Sequence, residues 1–185
     1  MTNSALSIGS TPGAERDSNR SNTNMVDDNL VGYLNDHLAG SVGALELLDR
    51  LIENYQGKPL ERFFQDLRGN IEEDQKKLEE LIHKLGEEES GVRKAGAWIL
   101  EKLSRAKIRL AESEEEKVGL FLALEALALG ITGKRSLWRA LAAAAETVPP
   151  LARLDYSALE KRAAEQGDRV EAKRLELART VFEAK

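Results

Sequence analysis

An all-α fold is what this chain of 185 residues predicts: four long helices in a bundle, with one long connection in the middle. Three observations carry that reading. Ala, Leu, Glu, Lys and Arg dominate while aromatics are only 5%, a mix that favours helix and leaves little to build a sheet. Apolar residues recur at alternating steps of three and four along four stretches, which is the repeat of one helix face. Gly or Pro marks the breaks between stretches; two are short and one spans about 27 residues.

Residues 1–24 are rich in Ser, Thr, Asn and Gly and read as a disordered tail, leaving 25–185 for the bundle. The first helix is predicted over 28–55, with Asp27 or Asp28 able to cap it. Its seam is Leu34, His37, Ser41, Ala44, Leu48, Leu51 and Tyr55, broadened by Leu38, Leu45 and Ile52. Gly57 and Pro59 make a short turn, so the second helix, 59–85, returns antiparallel to the first. Its seam runs Leu60, Phe64, Leu67, Ile71, Asp74, Leu78, Leu81 and Leu85, unbroken but for one aspartate.

A partly helical crossover follows, with a helix expected over 92–110. Arg93, Lys94, Lys102, Arg105, Lys107 and Arg109 against Glu101 make that segment basic, while residues 70–89 are acidic; solvated faces of opposite sign explain both. The third helix is predicted over 113–147, opened by the capping-box pair Ser113 and Glu116. From Val118 to Ile131 it is apolar nearly all round, which makes it the most buried helix expected. After Gly133 the apolar side is expected to shift to Leu137, Trp138, Leu141 and Ala145, covered by the 92–110 helix. Pro149-Pro150 ends it. The fourth helix, 155–183, carries the seam Leu159, Ala163, Gln166, Val170, Arg174, Leu177 and Val181.

A helix advances about 1.5 Å per residue, so the long connection can travel back along the bundle. One such crossover between the second and third helices is the ferritin-like arrangement. The stretches YLNDHLAG, GAWILEKLSR and LEALALGITGKRSLWRAL resemble an uncharacterised family of bacterial ferritin-like proteins, and more distantly stress-associated ferritin-like bundles. The resemblance covers about residues 28–184 and implies the bundle fold together with a di-iron site to be sought.

A di-iron carboxylate site needs Glu from two helices and Glu-x-x-His from two others. The chain has two histidines. One Glu-x-x-His occurs, Glu80 to His83, but it lies well off the Leu67–Ile71–Leu78 face and should meet solvent. A regular di-iron site is not expected. The polar residues that do fall on seams are His37, Asp74, Glu125, Gln166 and Arg174. Antiparallel pairing sets Asp74 level with residues 40–41 and Glu125 level with 174–177, making Arg174 the expected partner of Glu125. A satisfied polar cluster that fixes helix register is one reading. The other is a metal site for iron or manganese on His37, Asp74 and Glu125. Lys134 and Arg135 after Gly133 read as solvated, with an anion-binding pair the other reading.

The net charge of −5 speaks against nucleic acid as a partner. With no cysteine, disulfides and thiolate chemistry are excluded. No secretory leader is read at the N-terminus, and no run reaches the ~18 apolar residues of a membrane span. The expectation is a soluble, cytoplasmic, non-catalytic bundle without cofactor, acting through protein contacts or self-association as a homodimer. The alternative is a divergent metal-binding ferritin-like protein or oxidoreductase.

Overall fold

Several of the helix boundaries have a local cause in the sequence. In a computed structural model that describes residues 14–85 and 114–183, with side chains over 29–85 and 116–183, these are four α-helices and one short 3-10 turn. They are α1 (Ala14–Asn54), α2 (Glu61–Lys84), α3 (Glu114–Ala144) and α4 (Tyr156–Val181), with the 3-10 turn at Pro149–Leu151. Among the described residues there is no strand, and no helix is long and apolar enough to cross a membrane.

The first helix begins earlier than its sequence predicts. Residues 14–24, expected as part of a disordered tail, continue α1. Extending an existing helix closes one hydrogen bond per residue fixed, so polar residues that cannot nucleate a helix can still be carried by one. Gly57 ends the α1 turn with φ +73°, a conformation open to glycine and costly to other residues. Its N–H donates to Glu61 Oε2 at 2.7 Å, so the first acid of α2 also ties down the turn. Asp155 caps α4 by accepting from the Ala158 N–H at 3.0 Å. The expected capping residue Ser113 and the crossover helix 92–110 lie outside the described residues.

Side-chain bonds give the directions. Gln75 to Ser41 and Arg68 to Asp49 make α1 and α2 antiparallel. Arg135 to Glu160 and Arg174 to Glu125 do the same for α3 and α4. Lys58 meets Glu116 at one end, and Lys134 meets Asp74 further along, so α2 and α3 run parallel. The chain therefore leaves α2 at Leu85 and enters α3 at Glu114 at opposite ends of the bundle.

The core falls into two apolar clusters. One, near the Gly57 turn, is built on Leu48, Leu51, Phe64, Leu67, Leu124 and Leu127. The other, at the far end, is built on Leu34, Leu38, Ile82, Trp138, Leu141 and Leu151. The apolar side of α3 does not shift after Gly133. Leu120, Leu124, Leu127, Ile131, Lys134, Trp138 and Leu141 form one seam at alternating steps of four and three, and the apolar members are buried. Trp138 and Leu141 are covered by residues of α1, α2, α4 and the 3-10 turn. The opposite face of α3 is not buried: Val118, Leu122 and Leu129 are 43%, 47% and 69% exposed.

Candidate functional site

Between the two apolar clusters lies a polar layer contributed by α2, α3 and α4. Asp74, fifth in the unbroken α2 seam, has nowhere to point but inward and is 2% exposed. An isolated carboxylate there would be several kcal/mol out of balance, roughly, or would take up a proton. Lys134 from α3 answers it, with Nζ 2.6 Å from Asp74 Oδ2. Gln166 of α4, 3% exposed, closes the triangle. Its Nε2 donates to Asp74 Oδ2 at 3.0 Å, and its Oε1 accepts from Lys134 Nζ.

Arg162, one turn from Gln166, approaches from the outer side. Its Nε is 3.3 Å from Asp74 Oδ1, while Nη2 donates to the Asn70 carbonyl at 3.0 Å and to Glu73 Oε2 at 2.5 Å. The Arg162 Nε and Asp74 Oδ1 atoms are close enough to attract but make no directed hydrogen bond. Burial draws the Lys134 ammonium below the usual lysine range, more than Asp74 beside it holds it up. The layer is therefore electrically satisfied but strongly desolvated.

A cavity of about 290 Å³ opens beside this layer, between α1, α2 and α3. Leu47, Ile71, Leu78, Leu127, Ile131 and Leu137 are its large apolar wall residues. Asp74, Gln75, Lys134 and Trp138 belong to its lining from α2 and α3, and Asp36 and His37 from α1. Trp138 is 1% exposed, and its indole Nε1–H has no hydrogen-bond partner among the described residues. His37 is half-buried against Tyr33, edge to face at 4.8 Å, and burial lowers its pKa despite Asp36 next to it. It is thus the neutral imidazole at neutral pH.

Glycines thin both long walls. Gly40 and Gly43 of α1 and Gly130 and Gly133 of α3 all belong to its lining. Helix-interior glycine usually marks a place where another backbone comes close. Here a Cβ built on Gly40, Gly130 or Gly133 would meet nothing within 4 Å. Three such glycines forgo about 1.5–3 kcal/mol of helix stability relative to alanine. What they leave behind is room.

The residues singled out by the sequence part company. Asp74 and Gln166 share the buried layer, and His37 joins Asp74 on the cavity wall. Glu125 does not reach the interior. Its side chain is 46% exposed and lies 3.3 Å from Arg174 Nη1. The reason is the continuous α3 seam, which places Glu125 on the far side of the helix from Lys134. Arg174 also makes paired bonds to Glu171, both at 2.7 Å, and lies over the Phe121 ring at 5.3 Å. His37, Asp74 and Glu125 thus do not converge, and no group of three or more His, Asp or Glu among the described residues could hold a metal ion.

Sequence reasoning missed Lys134, Arg162 and Trp138. Lys134 stood in plain view at three residues from Ile131 and four from Trp138. Taking it as solvated because it is a lysine beside Arg135 hid the seam. Compared with protein families, curated proteins and solved structures, the chain finds no match.

Proposed function

We propose that this protein is a non-catalytic, ferritin-like helical bundle that binds a small, mostly apolar molecule in the cavity between α1, α2 and α3. The observation that carries the reading is the cavity of about 290 Å³ with its largely apolar lining, in which Gly40, Gly130 and Gly133 place no side chain. A bundle selected only for stability gains from alanine or leucine at those positions. A bundle that holds a guest there needs the space. The non-catalytic part is supported by the polar layer: Asp74 is the buried carboxylate of the described residues, and Lys134, Gln166 and Arg162 occupy it. The ferritin-like part is supported by parallel α2 and α3, the direction one long crossover produces.

The test is isothermal titration with a homologous series of alkyl methyl ketones. Each methylene buried adds about 0.8 kcal/mol, so affinity should climb roughly fourfold per methylene and level off when the chain fills the cavity. Gly133→Leu, which pushes a side chain into the open space, should abolish binding. Affinity that ignores chain length, or binding that survives Gly133→Leu, refutes the reading. Elemental analysis is the second arm. Stoichiometric iron or manganese in the purified protein, lost in His37→Ala, would replace this reading with the metal-binding one.

A further inference from the structure

We propose that the outer face of α3 is a dimerisation surface, on which α3 of a second copy of this chain packs antiparallel about a two-fold axis at Leu129. This goes beyond the cavity reading and does not depend on it.

A helix on the surface of a bundle normally turns charged and polar side chains to water. The outside of α3 does not. Val118, Leu122, Glu125, Leu129, Thr132 and Ser136 recur at alternating steps of four and three, a second seam on the side away from the core. Ala140, four residues further on, continues it and is exposed. The neighbouring helix extends the patch. Phe182, at the end of α4, packs edge to face on Phe121 at 5.3 Å, and Leu175 lies two turns before it on the same face. Of the six large apolar side chains exposed among the described residues, Val118, Leu122, Leu129, Leu175 and Phe182 are five. Scattered singly they would need no explanation; gathered on one side they mark a contact surface.

The order of sizes along the seam says which partner fits. Leu122 stands seven residues before Leu129 and Ser136 seven after it; Val118 stands eleven before and Ala140 eleven after. Antiparallel pairing of two copies about Leu129 therefore sets each large side chain opposite a small one, and Leu129 against itself. A self-complementary patch of this kind closes as a symmetric dimer. Charge does not oppose it: Glu125 is the one charged member of the seam, and Arg174 meets it at 3.3 Å within its own copy. At about 1.5 Å per residue and about 10 Å of helix width, Val118 to Ala140 makes a strip of roughly 330 Å². With Leu175 and Phe182 each copy offers roughly 400–500 Å², or about 1,000 Å² for the pair, the size at which specific interfaces begin. A weak dimer, in the micromolar range, is the expectation.

The experiment is sedimentation velocity on the full chain over a concentration series, with cross-linking to fix the register. The parent should show a reversible monomer–dimer equilibrium in the micromolar range. Leu129→Glu should weaken it at least about a hundredfold, because two-fold symmetry removes the leucine twice and sets two carboxylates against each other. Circular dichroism should find that variant as helical as the parent, since residue 129 is 69% exposed. Gln65→Glu, which adds the same charge on the exposed side of α2, should leave the dimer unchanged. The chain has no cysteine, so introduced thiols report position alone. A short bis-maleimide should join a mixture of Leu122→Cys and Ser136→Cys chains. It should not join Leu122→Cys chains to one another, whose thiols lie about 21 Å apart along the helices. A parent that stays monomeric throughout, a dimer that survives Leu129→Glu, or Leu122→Cys chains that join as readily as the mixture would each overturn the proposal. A face covered by another segment of the same chain would give the first of these results. If Leu129→Glu fails to fold, the cross-linking pattern decides alone.

Discussion

Lys134→Met removes the nearer cation of a carboxylate that is 2% exposed. Asp74 then keeps only the Gln166 amide at 3.0 Å and Arg162 at 3.3 Å, and the latter contact is not a directed hydrogen bond. Gln166 Oε1 loses its donor as well. Breaking a buried pair from one side costs about 3–5 kcal/mol; Arg162 keeps the value near the lower end, about 3. For a chain of this size that is a fall of roughly 6–12 °C in Tm. The whole layer behaves differently. In the triple variant Asp74→Leu, Lys134→Met, Gln166→Met the carboxylate, the ammonium and the amide go together, and Arg162 retains Asn70 and Glu73. Such apolar replacements are often neutral or stabilising, so the triple should lie within about 1 kcal/mol of the parent or above it.

Urea melts at neutral pH on the parent, the single and the triple variants measure both claims. The pH dependence adds a third readout. Because burial holds the native Lys134 pKa below its ordinary 10.5, the unfolded chain binds the proton more tightly between those two values. This group therefore makes stability rise with pH through that window, and Lys134→Met should lose that part of the slope. A single variant within 1 kcal/mol of the parent, or a triple as damaged as the single, would show that the layer is not the closed unit described.

Other substitutions separate packing from electrostatics. Gly40→Ala and Gly133→Ala should each raise stability by about 0.5–1 kcal/mol, since the new methyl group meets nothing, and a thermal melt showing a loss at either site would mean the space is not open. His37, with its native pKa held below 6.5 by burial, contributes stability present above 6.5 and lost as pH falls through the native value. His37→Gln should flatten that acid limb of the stability profile, and an unchanged limb in urea melts across pH 4 to 7 would refute it. Glu125→Gln should leave the urea midpoint where it is, because a half-exposed carboxylate whose arginine also holds Glu171 adds little; a marked drop would mean Glu125 is more than a surface partner.

How much of this was legible depended on which residue broke the pattern. The α2 seam has one polar member, so its register was visible, and Asp74 falls where the spacing put it. Level was legible too: Gln75 meets Ser41, and Arg174 meets Glu125, as antiparallel counting from the turns predicts. Rotation of α3 was not. Between Val118 and Ile131 nearly every residue is apolar, so hydrophobicity alone gives no face. The one residue that fixes it, Lys134, lies just beyond that run. A seam lysine is indistinguishable from a surface lysine until its counter-ion on another helix is known. The cavity was invisible for a related reason. GxxG spacing in a helix reads the same whether the glycines admit a backbone or leave space.

The polar layer and the cavity are consequences of one asymmetry, and it makes a last prediction. Asp74, Lys134, Gln166 and Arg162 bind α2, α3 and α4 together at one level. At that level α1 offers Ser41, bonded to Gln75, and carries Gly40 and Gly43 where the other helices carry long side chains. The seam of α1 is accordingly rotated: Leu34, Leu38, Leu48 and Leu51 are buried, while His37, Ser41 and Ala44 flank them on the cavity side. Over residues 40–44 α1 is thus held mainly by its contacts above and below. Local opening costs least where side-chain packing is thinnest. Amide hydrogen exchange should be markedly faster over residues 40–44 of α1 than over 71–75 of α2, which face each other across the same layer. Saturation with a guest that fills the cavity should slow α1 toward the rate of α2. Equal protection of the two segments in the free protein would mean that α1 is packed as firmly as the rest, and that the room beside Lys134 is not matched by any ease of reaching it.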